Sequence, residues 1–548
     1  MKKNQGQSFV FGSFILMFSN LLVKIIGAVL KIPLTNIVGL GTMAYYNAAY
    51  SIYVTFYMIS TAGIPVAISR MISTANAKGN KYEVKRIFNV AFTLFFIIGL
   101  VGTTVMLAIS KSYAKAVELP DAYYAMIVIA PSLFFICLSS AFRGFFQGLT
   151  NMVPTAISQV IEAICKMSIG LAAGYILVKR GEPDHIVAAA VIGAVTIGVV
   201  AAFVYAAVCK RMYNVLNKDS YETTDNQNIR DVKSILKEMC LVSLPIALSS
   251  TIMGLTSNVD TTLITKRLID TGLLATTAKD FYGAYTSMSV TFFNFAPTLI
   301  YPFAIAGVPT LTAYLVKNNK TGAYSTMSSL FRITSIIALP CAFGLCGMGS
   351  QILRLVYNDQ YISGTDKFLK SVDVAGPALS VLGVAVFFMA MIAATNSVLQ
   401  AWKRELMPIV STAVGISVKI ISAYILLGIP NFGVLGAAIS SMLGYFTIMS
   451  FNMFFVIKYT GFVPSIRGVF AKPFISAALC GASAVLCNKF LCSMLGQSKL
   501  FTLVAIGAGG VVYFLMLVAL KAFNREDVKL MPKGEKICAL LEKIHALK

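Results

Sequence analysis

Three polar side chains recur at helical spacing in an apolar stretch near the N-terminus. Asn20, Lys24 and Lys31 lie in SNLLVKIIGAVLK together with Gly27, and this spacing places all four on one stripe of a helix. A charge near the bilayer centre costs roughly 2.5–3.5 kcal/mol, so such a residue faces a polar cavity or reaches the interface. We expect Lys24 to line a cavity that attracts anions. Lys31, nearer the outer end, either does the same or snorkels.

A second set of ionisable and polar residues lies in later apolar stretches. Glu162 and Lys166 are four residues apart, so they either neutralise each other or face the cavity. Lys419 has the same two alternatives, because it is the counterpart of Lys166 in an internal repeat. Arg143 is expected to anchor the chain at the headgroups, and Asn396 is a weaker polar candidate for the cavity.

An acid with polar neighbours, in the sequence TSNVDTTLITKR, indicates a possible ion site. The carboxylate of Asp260, with the side-chain oxygens of Asn258 and Thr261, could hold Na⁺ or a proton. The alternative is an ion pair between Asp260 and Lys266 or Arg267 at the outer face. The sequence suggests no cofactor beyond such Na⁺ or H⁺ coupling and the membrane potential.

The composition is that of a membrane protein. The chain is 57% hydrophobic and only 12% charged, with a mean hydropathy of +0.78, whereas soluble domains carry about 25% charged residues. The net charge of +23 would suggest nucleic acid for a soluble protein. In a polytopic membrane protein it reflects basic cytoplasmic loops instead, and we expect no nucleic-acid partner. The ten cysteines form no disulfide or zinc pattern.

Fourteen apolar stretches are long enough to span a bilayer. They cover residues 9–31, 44–67, 88–110, 123–146, 154–178, 186–208, 239–263, 283–305, 329–349, 375–398, 408–428, 433–457, 470–490 and 500–522. With the N-terminus inside, the predicted cytoplasmic segments hold 28 Lys and Arg, and the opposite segments hold 13. This excess predicts a multi-pass plasma-membrane protein with both termini in the cytoplasm.

The spans group into lobes and connecting segments. We predict a first lobe of six helices (1–210), a cytoplasmic linker (211–238), a second six-helix lobe (239–458), two further helices (459–522) and a cytoplasmic amphipathic tail (523–548). The tail has apolar residues on one helical face and lysines elsewhere, which is typical of a helix on the membrane surface. The first apolar stretch lacks a clear cleavage site, so we expect it to be retained as a helix.

An internal repeat supports this division. The block STAGIPVAISRMISTANAKGN (60–80) matches AIAGVPTLTAYLVKNNKTG (304–322), and FFICLSSAFRGFFQGLTNMVPTAISQVIEAICK (134–166) matches FFMAMIAATNSVLQAWKRELMPIVSTAVGISVK (387–419). Lys166 and Lys419 are paired at an offset of 253 residues. The predicted fold class is therefore an all-α polytopic membrane protein with 14 transmembrane helices, arranged as two six-helix lobes (a 6+6 repeat) plus two C-terminal helices.

Taken together, these features resemble the multidrug/oligosaccharidyl-lipid/polysaccharide exporter superfamily. The A-G-I/V-P blocks and RGFFQGLTNMVPTAISQVIEA carry the resemblance, which covers nearly the whole chain. Within the superfamily the chain is similar to the polysaccharide-biosynthesis branch, the stage V sporulation protein B and MurJ-like lipid II flippase group. Lys24 and Gly27 match the first-helix pattern of those flippases, whereas Lys31 arrives one position late and Ile32 replaces an acid. The resemblance also implies a sodium ion at a helix-seven acid, to which Asp260 is similar.

The implied function is an alternating-access flippase that moves a polyprenyl-diphosphate sugar, such as lipid II, from the inner to the outer leaflet. It would serve cell-wall or polysaccharide synthesis, in vegetative cells or in sporulation. A cationic cavity attracts a diphosphate, and an inside-negative potential favours its outward movement by about 2.3 kcal/mol per charge per 100 mV. The alternatives are a multidrug or cation antiporter on the same fold and a non-transporting scaffold. We find no catalytic motif, so we do not expect an enzyme. The expected partners are the bilayer and a lipid-linked oligosaccharide, and the expected oligomeric state is a monomer.

Overall fold

A computed structural model describes residues 2–61, 63–216, 230–364, 369–430, 432–496 and 498–522. Fifteen α-helices make up this part of the chain. The only extended pairing among the described residues is an isolated bridge between Tyr361 and Lys370. The predicted all-α fold class is therefore confirmed.

The helices follow the predicted spans closely. The first seven are α1 (Lys2–Thr61), α2 (Ile64–Ala77), α3 (Lys81–Ala116), α4 (Ala122–Gly148), α5 (Val153–Lys179), α6 (Asp184–Leu216) and α7 (Val232–Asp270). The others are α8 (Ala275–Ala284), α9 (Val290–Val316), α10 (Lys320–Val356), α11 (Ser371–Ala401), α12 (Leu406–Leu427), α13 (Leu435–Thr460), α14 (Lys472–Leu495) and α15 (Lys499–Ala519). Short π-helical turns, Tyr285–Ser289 and Ile466–Ala471, lead into α9 and α14.

Each predicted span lies mostly on helix, although the span 44–67 is interrupted at Gly63 between α1 and α2. Eleven described segments are long and apolar enough to cross a membrane, and the first of them, Phe18–Ala77, contains the predicted span 44–67 and most of the span 9–31. The helices α7 and α9 carry the predicted spans 239–263 and 283–305, the latter with the turn before α9. The chain is thus a multi-pass membrane protein.

Two glycines interrupt the helical segment Phe18–Ala77. Gly39 lies between the first two predicted spans, and Gly63 lies between α1 and α2. At Gly39 the backbone of α1 has φ 81° and ψ 173°, a conformation that favours glycine, and the helix kinks there. The next break contains Gly63 of the first A-G-I/V-P block. A side chain on Gly63 would collide with the backbone of Ser243 on α7, so the close approach of α7 explains the glycine of this block.

The chain divides into two compact units, Met1–Lys266 and Arg267–Lys548. The division falls inside α7, the helix that begins the predicted second lobe, so most of α7 packs with the first unit. The predicted lobe boundaries stay predictions. The predicted tail (523–548) and residues 217–229 of the predicted linker lie outside the described residues. The nine cysteines that the structure describes are free thiols.

Packed aromatic and aliphatic side chains form the core of each unit. In the first unit, Phe88, Phe142 and Phe145 are buried, and the ring of Phe88 lies 5.2–5.4 Å from the other two. In the second unit, Phe331 and Phe462 pack with their ring centroids 6.2 Å apart. Because lipid is as apolar as these side chains, close packing holds such helices together more than the hydrophobic effect does.

The internal repeat is visible in the turns of the structure. Thr150, after α4, and Lys403, after α11, are 253 residues apart, and both have left-handed backbones, with φ 60° and 57°. Their backbone N–H groups donate to the carbonyl oxygens of Gln147 and Gln400, each at 3.0 Å. Equal turns at equal positions support the predicted duplication.

Candidate functional site

A ladder of four tyrosines runs along the second half of α1. Tyr46, Tyr50, Tyr53 and Tyr57 follow the spacing i, i+4, i+7 and i+11, so they share one helical face. Successive ring centroids lie 5.9, 5.8 and 6.1 Å apart. We call these four residues the tyrosine ladder. It gives the first unit a continuous aromatic surface that also carries hydroxyl groups.

A lysine from α5 lies over this ladder. The Nζ atom of Lys166 is 4.6 Å from the ring centroid of Tyr50, a cation–π geometry. Lys31, from the first half of α1, is close enough for its charge to act on Lys166. The structure thus brings together two of the predicted cavity lysines inside one unit.

The predicted pair of Glu162 and Lys166 is not the one that the structure forms. Glu162 instead accepts a hydrogen bond from Arg143 of α4, with Nη2 and Oε2 3.0 Å apart. The Arg143 side chain is only 11% exposed, and that of Glu162 is 27% exposed. The structure therefore gives Arg143 a carboxylate partner on a neighbouring helix, and its expected position at the headgroups stays a prediction. This leaves Lys166 for the aromatic face of the ladder.

The other predicted residues of α1 lie on an open part of the first unit. Asn20 and Lys24 are exposed, whereas the neighbouring Ser19 is buried and donates to the carbonyl of Ala156 on α5. No atom lies within 4 Å of where a side chain on Gly27 would begin. The side chains of Asn20 and Lys24 and the surface at Gly27 therefore lie next to the buried face of α1 and are accessible on the first unit.

Two members of the predicted ion site are hydrogen-bonded to other helices of the first unit. Asn258 donates to Thr55 at 2.6 Å and accepts from Tyr113 at 2.9 Å. Thr261 donates to Ser51 at 3.1 Å. These contacts fix α7 against α1 and α3, and they use oxygens that were expected to bind an ion.

Asp260 is directed away from the contacts of Asn258. Two residues along an α-helix turn the side chain by about 200°. Asp260 is partly exposed and has interactions of its own. No cluster of three or more His, Cys, Asp or Glu suited to a metal ion occurs in the described part of the chain. The ion site at Asn258, Asp260 and Thr261 stays a prediction.

The predicted residues of the second unit are packed against α13. Lys419, on α12, is only 5% exposed, and its Cβ lies against Gly444. The side-chain oxygen of Asn396 accepts from fully buried Asn452 at 2.7 Å, and Asn452 also donates to Thr395 at 3.2 Å. These groups tie α11 to α13. Their cavity role stays a prediction.

The sequence reasoning did not identify the tyrosine ladder or the role of Arg143. A signal for the ladder is present, because four tyrosines at i, i+4, i+7 and i+11 in one span predict an aromatic stripe. No comparable signal exists for the Arg143–Glu162 pair. Its partners lie on separate helices, and local spacing favours Lys166 as the partner of Glu162.

The fold and this interior define a multi-pass membrane protein with cations and tyrosines inside its first unit. The profile of the polysaccharide biosynthesis protein family matches residues 9–342. The chain belongs to this family, which confirms the resemblance derived from the sequence.

Named relatives and a solved structure extend the match over most of the chain. The chain is 22% identical to stage V sporulation protein B of Bacillus subtilis (strain 168), over 96% of this chain and 98% of that protein. It is 21% identical to the lipid II flippase MurJ of the same organism, over 82% and 83% of the two chains. A structure of lipid II flippase MurJ in an inward closed conformation superposes with a TM-score of 0.62, at 15% identity, over 92% of this chain and 98% of that one.

Proposed function

We propose that the chain is a flippase that moves a polyprenyl-diphosphate saccharide, such as lipid II, from the inner to the outer leaflet by alternating access. The observation that carries this proposal is the interior position of Lys166, whose Nζ atom lies 4.6 Å from the ring centroid of Tyr50, with Lys31 within the range of its charge. Two ammonium groups within electrostatic range repel each other. A diphosphate that binds between them would turn this repulsion into attraction, and the open stripe with Lys24 would guide it there.

The family and its relatives support this cargo. One relative is named a lipid II flippase, and the family is described by polysaccharide biosynthesis. We further propose that the protein lies in the plasma membrane with both termini in the cytoplasm, because basic residues are concentrated in the segments that would then face inward. In this orientation an inside-negative potential assists export of the anionic headgroup. The proposed role is transport and not catalysis.

The antiporter alternative is less well supported by this interior. A cationic drug would require an available carboxylate in the binding region. Glu162, the acid next to Lys166, is hydrogen-bonded to Arg143. The site therefore favours an anionic cargo.

Reconstituted vesicles can test the proposal. The full-length protein is placed in vesicles that hold a fluorescent polyprenyl-diphosphate saccharide, and the fraction reaching the opposite leaflet is measured with a membrane-impermeant quencher. We expect Lys166→Met to slow transfer at least about tenfold, equivalent to about 1.4 kcal/mol, because it removes the charge and keeps an apolar side chain. Lys166→Arg keeps the charge and should retain most of the activity.

The repeat provides a matched control. Lys419→Met makes the same change at the corresponding position of the second unit, and we expect transfer within about twofold of wild type. Equal transfer by wild type and Lys166→Met would contradict the proposed diphosphate site. No protein-dependent transfer by the wild type would contradict the flippase proposal itself. If the wild type does transfer the lipid, rescue of cells that lack their lipid II flippase would show whether lipid II is a cargo.

A further inference from the structure

The tyrosine ladder differs from the other aromatic groups of the first unit in its chemistry. Phe88, Phe142 and Phe145 form a buried core of phenylalanine rings, and Lys210 lies over two of them, at 4.9 Å from Phe88 and 4.0 Å from Phe145. The ladder consists of tyrosine at each of its four positions, so each ring also brings a hydroxyl group into the membrane-embedded unit. A hydroxyl in such surroundings requires hydrogen-bond partners, and packing alone would be served by phenylalanine.

The ladder is also partly accessible. Tyr46 and Tyr53 are buried, at 5% and 4% exposure, whereas Tyr50 and Tyr57 are half-buried. Tyr50 and Tyr57 are seven residues apart, so the two accessible rings lie along one line of the helix. Lys166 covers one end of this line, at Tyr50. The Arg143–Glu162 pair lies within electrostatic range of the other end, at Tyr57.

Unsatisfied hydrogen-bonding atoms lie on the two helices that hold this ion pair. Within the described residues, Ser139 Oγ and Arg143 Nε on α4, and Thr155 Oγ1 and Gln159 Oε1 on α5, are buried and have no hydrogen-bond partner. Buried polar atoms without partners are unfavourable, so polar groups brought against these two helices would stabilise them by hydrogen bonding. Arg143 Nε is a donor and Gln159 Oε1 an acceptor, so a group that both donates and accepts would satisfy them.

A sugar unit has this combination of properties. Each hydroxyl group of a saccharide both donates and accepts a hydrogen bond, and the C–H face of its ring packs on aromatic rings. Along α5, Gln159 and Glu162 lie about 10 and 6 Å from Lys166, from a rise of 1.5 Å per residue. These distances suit a first sugar that directly follows a diphosphate held at Lys166.

We propose that the tyrosine ladder, Arg143 and Gln159 form a saccharide-binding face of the first unit, on which the sugar next to the diphosphate stacks against Tyr57. This inference rests on the proposed function. It specifies which part of the cargo the protein uses to distinguish one lipid from another. Lys166 and Lys31 bind the charge that every such lipid carries. The ladder distinguishes a lipid that bears a sugar from one that does not.

Binding of two lipids to the full-length protein tests this assignment. The probes are polyprenyl diphosphate and polyprenyl diphosphate carrying one N-acetylated hexose, and Kd is measured for each in detergent micelles. Tyr57→Leu should weaken binding of the sugar-bearing lipid at least about tenfold and change the Kd of the bare diphosphate by less than about twofold. Gln159→Met should give the same selectivity with a smaller effect. Lys166→Met should weaken both lipids.

The controls separate stacking from folding. Tyr57→Phe keeps the stacking ring and removes only the hydroxyl, so it should lose less sugar-lipid affinity than Tyr57→Leu and change the Kd of the bare diphosphate by less than about twofold. Tyr175→Leu is the matched control, since Tyr175 is 51% exposed on α5 and lies under Lys179 at 4.8 Å, outside the ladder. It should change neither Kd.

The outcomes discriminate between this inference and the function on which it rests. Equal weakening of both lipids by Tyr57→Leu, with Tyr57→Phe equally impaired, would overturn the saccharide face and leave the diphosphate site standing. No effect of Tyr57→Leu on either lipid would overturn it as well. A wild-type protein that binds neither lipid would overturn the proposed function together with this inference.

Discussion

Lys166 and Lys419 hold the same position in the two repeats, but their surroundings differ. Lys166 lies over the ring of Tyr50 and near a second lysine, Lys31. Lys419 is 5% exposed and packs with its stem against Gly444 of the neighbouring helix. The same residue type therefore lies over an aromatic ring in a polar interior in one unit, and is buried between two closely packed helices in the other.

The residues around the two lysines explain this difference. At the offset of 253, the counterparts of Arg143 and Glu162 are Asn396 and Gly415. At the offset of 244 between the A-G-I/V-P blocks, the counterparts of the four ladder tyrosines are Val290, Asn294, Pro297 and Tyr301, so one of the four recurs. Gly415 lets α12 and α13 approach closely where Glu162 keeps a polar group between helices. The two repeats thus share equivalent turns, whereas the pairing of an arginine with a glutamate and three of the four ladder tyrosines occur at these positions only in the first unit.

The largest expected effect concerns the ion pair that the second unit lacks. Arg143→Ala leaves the carboxylate of Glu162 without its guanidinium partner in a mostly buried position, so we expect a loss of roughly 2–4 kcal/mol in the free energy of unfolding. Asn396→Ala, at the corresponding position, should cost about 1 kcal/mol, the value of a neutral hydrogen bond. Equilibrium unfolding in mixed micelles measures both.

The control for this prediction removes both charges at once. The double variant Arg143→Leu/Glu162→Leu should recover much of the stability lost by Arg143→Ala, because no unpaired charge remains. If the double variant is as unstable as the single one, the ion pair is not the source of the effect, and the contrast between the two units is weaker than proposed.

A smaller effect is expected from filling the close contact of the second unit. A Cβ on Gly415 would collide with the side chain of Ile448 and lie 2.8 Å from the carbonyl oxygen of Gly444. Gly415→Ala should therefore destabilise by about 1–3 kcal/mol. Gly27→Ala is the control, since nothing lies within 4 Å of its Cβ position, and it should be neutral or stabilising by up to about 1 kcal/mol. Equal stability of the Gly415→Ala variant and wild type would show that α12 and α13 are not closely packed there.

The smallest effect concerns a feature that both repeats share. Asn80 caps α3 by accepting from the N–H of Glu83 at 2.9 Å, and Asn319 caps α10 by accepting from Gly322 at 2.9 Å. Each change to alanine should cost about 1 kcal/mol, and the two losses should agree because the caps are equal. Asn80→Asp and Asn319→Asp keep the acceptor and should retain most of the stability. Clearly unequal alanine losses would mean that the two turns are not equivalent.

Much of the fold could be read from the sequence, because a membrane span requires only a local run of apolar residues. Each predicted span lies mostly on helix, with the span 44–67 interrupted at Gly63, and the repeat offset places Thr150 and Lys403 in equal turns. The tyrosine spacing was readable too, since it lies within one helix. Gly63 could be recognised as part of a repeated block, although its reason, the backbone of Ser243, lies on another helix.

The sequence by itself determined the apolar spans, the duplication and the stripe of Asn20, Lys24 and Lys31 on one helix. Only the tertiary structure decided that Glu162 binds Arg143, that Lys166 covers Tyr50, and that Lys419 is packed away. The physical reason is distance along the chain. Helical periodicity fixes which residues share a face, but the partner of a long charged side chain depends on which helix packs opposite that face.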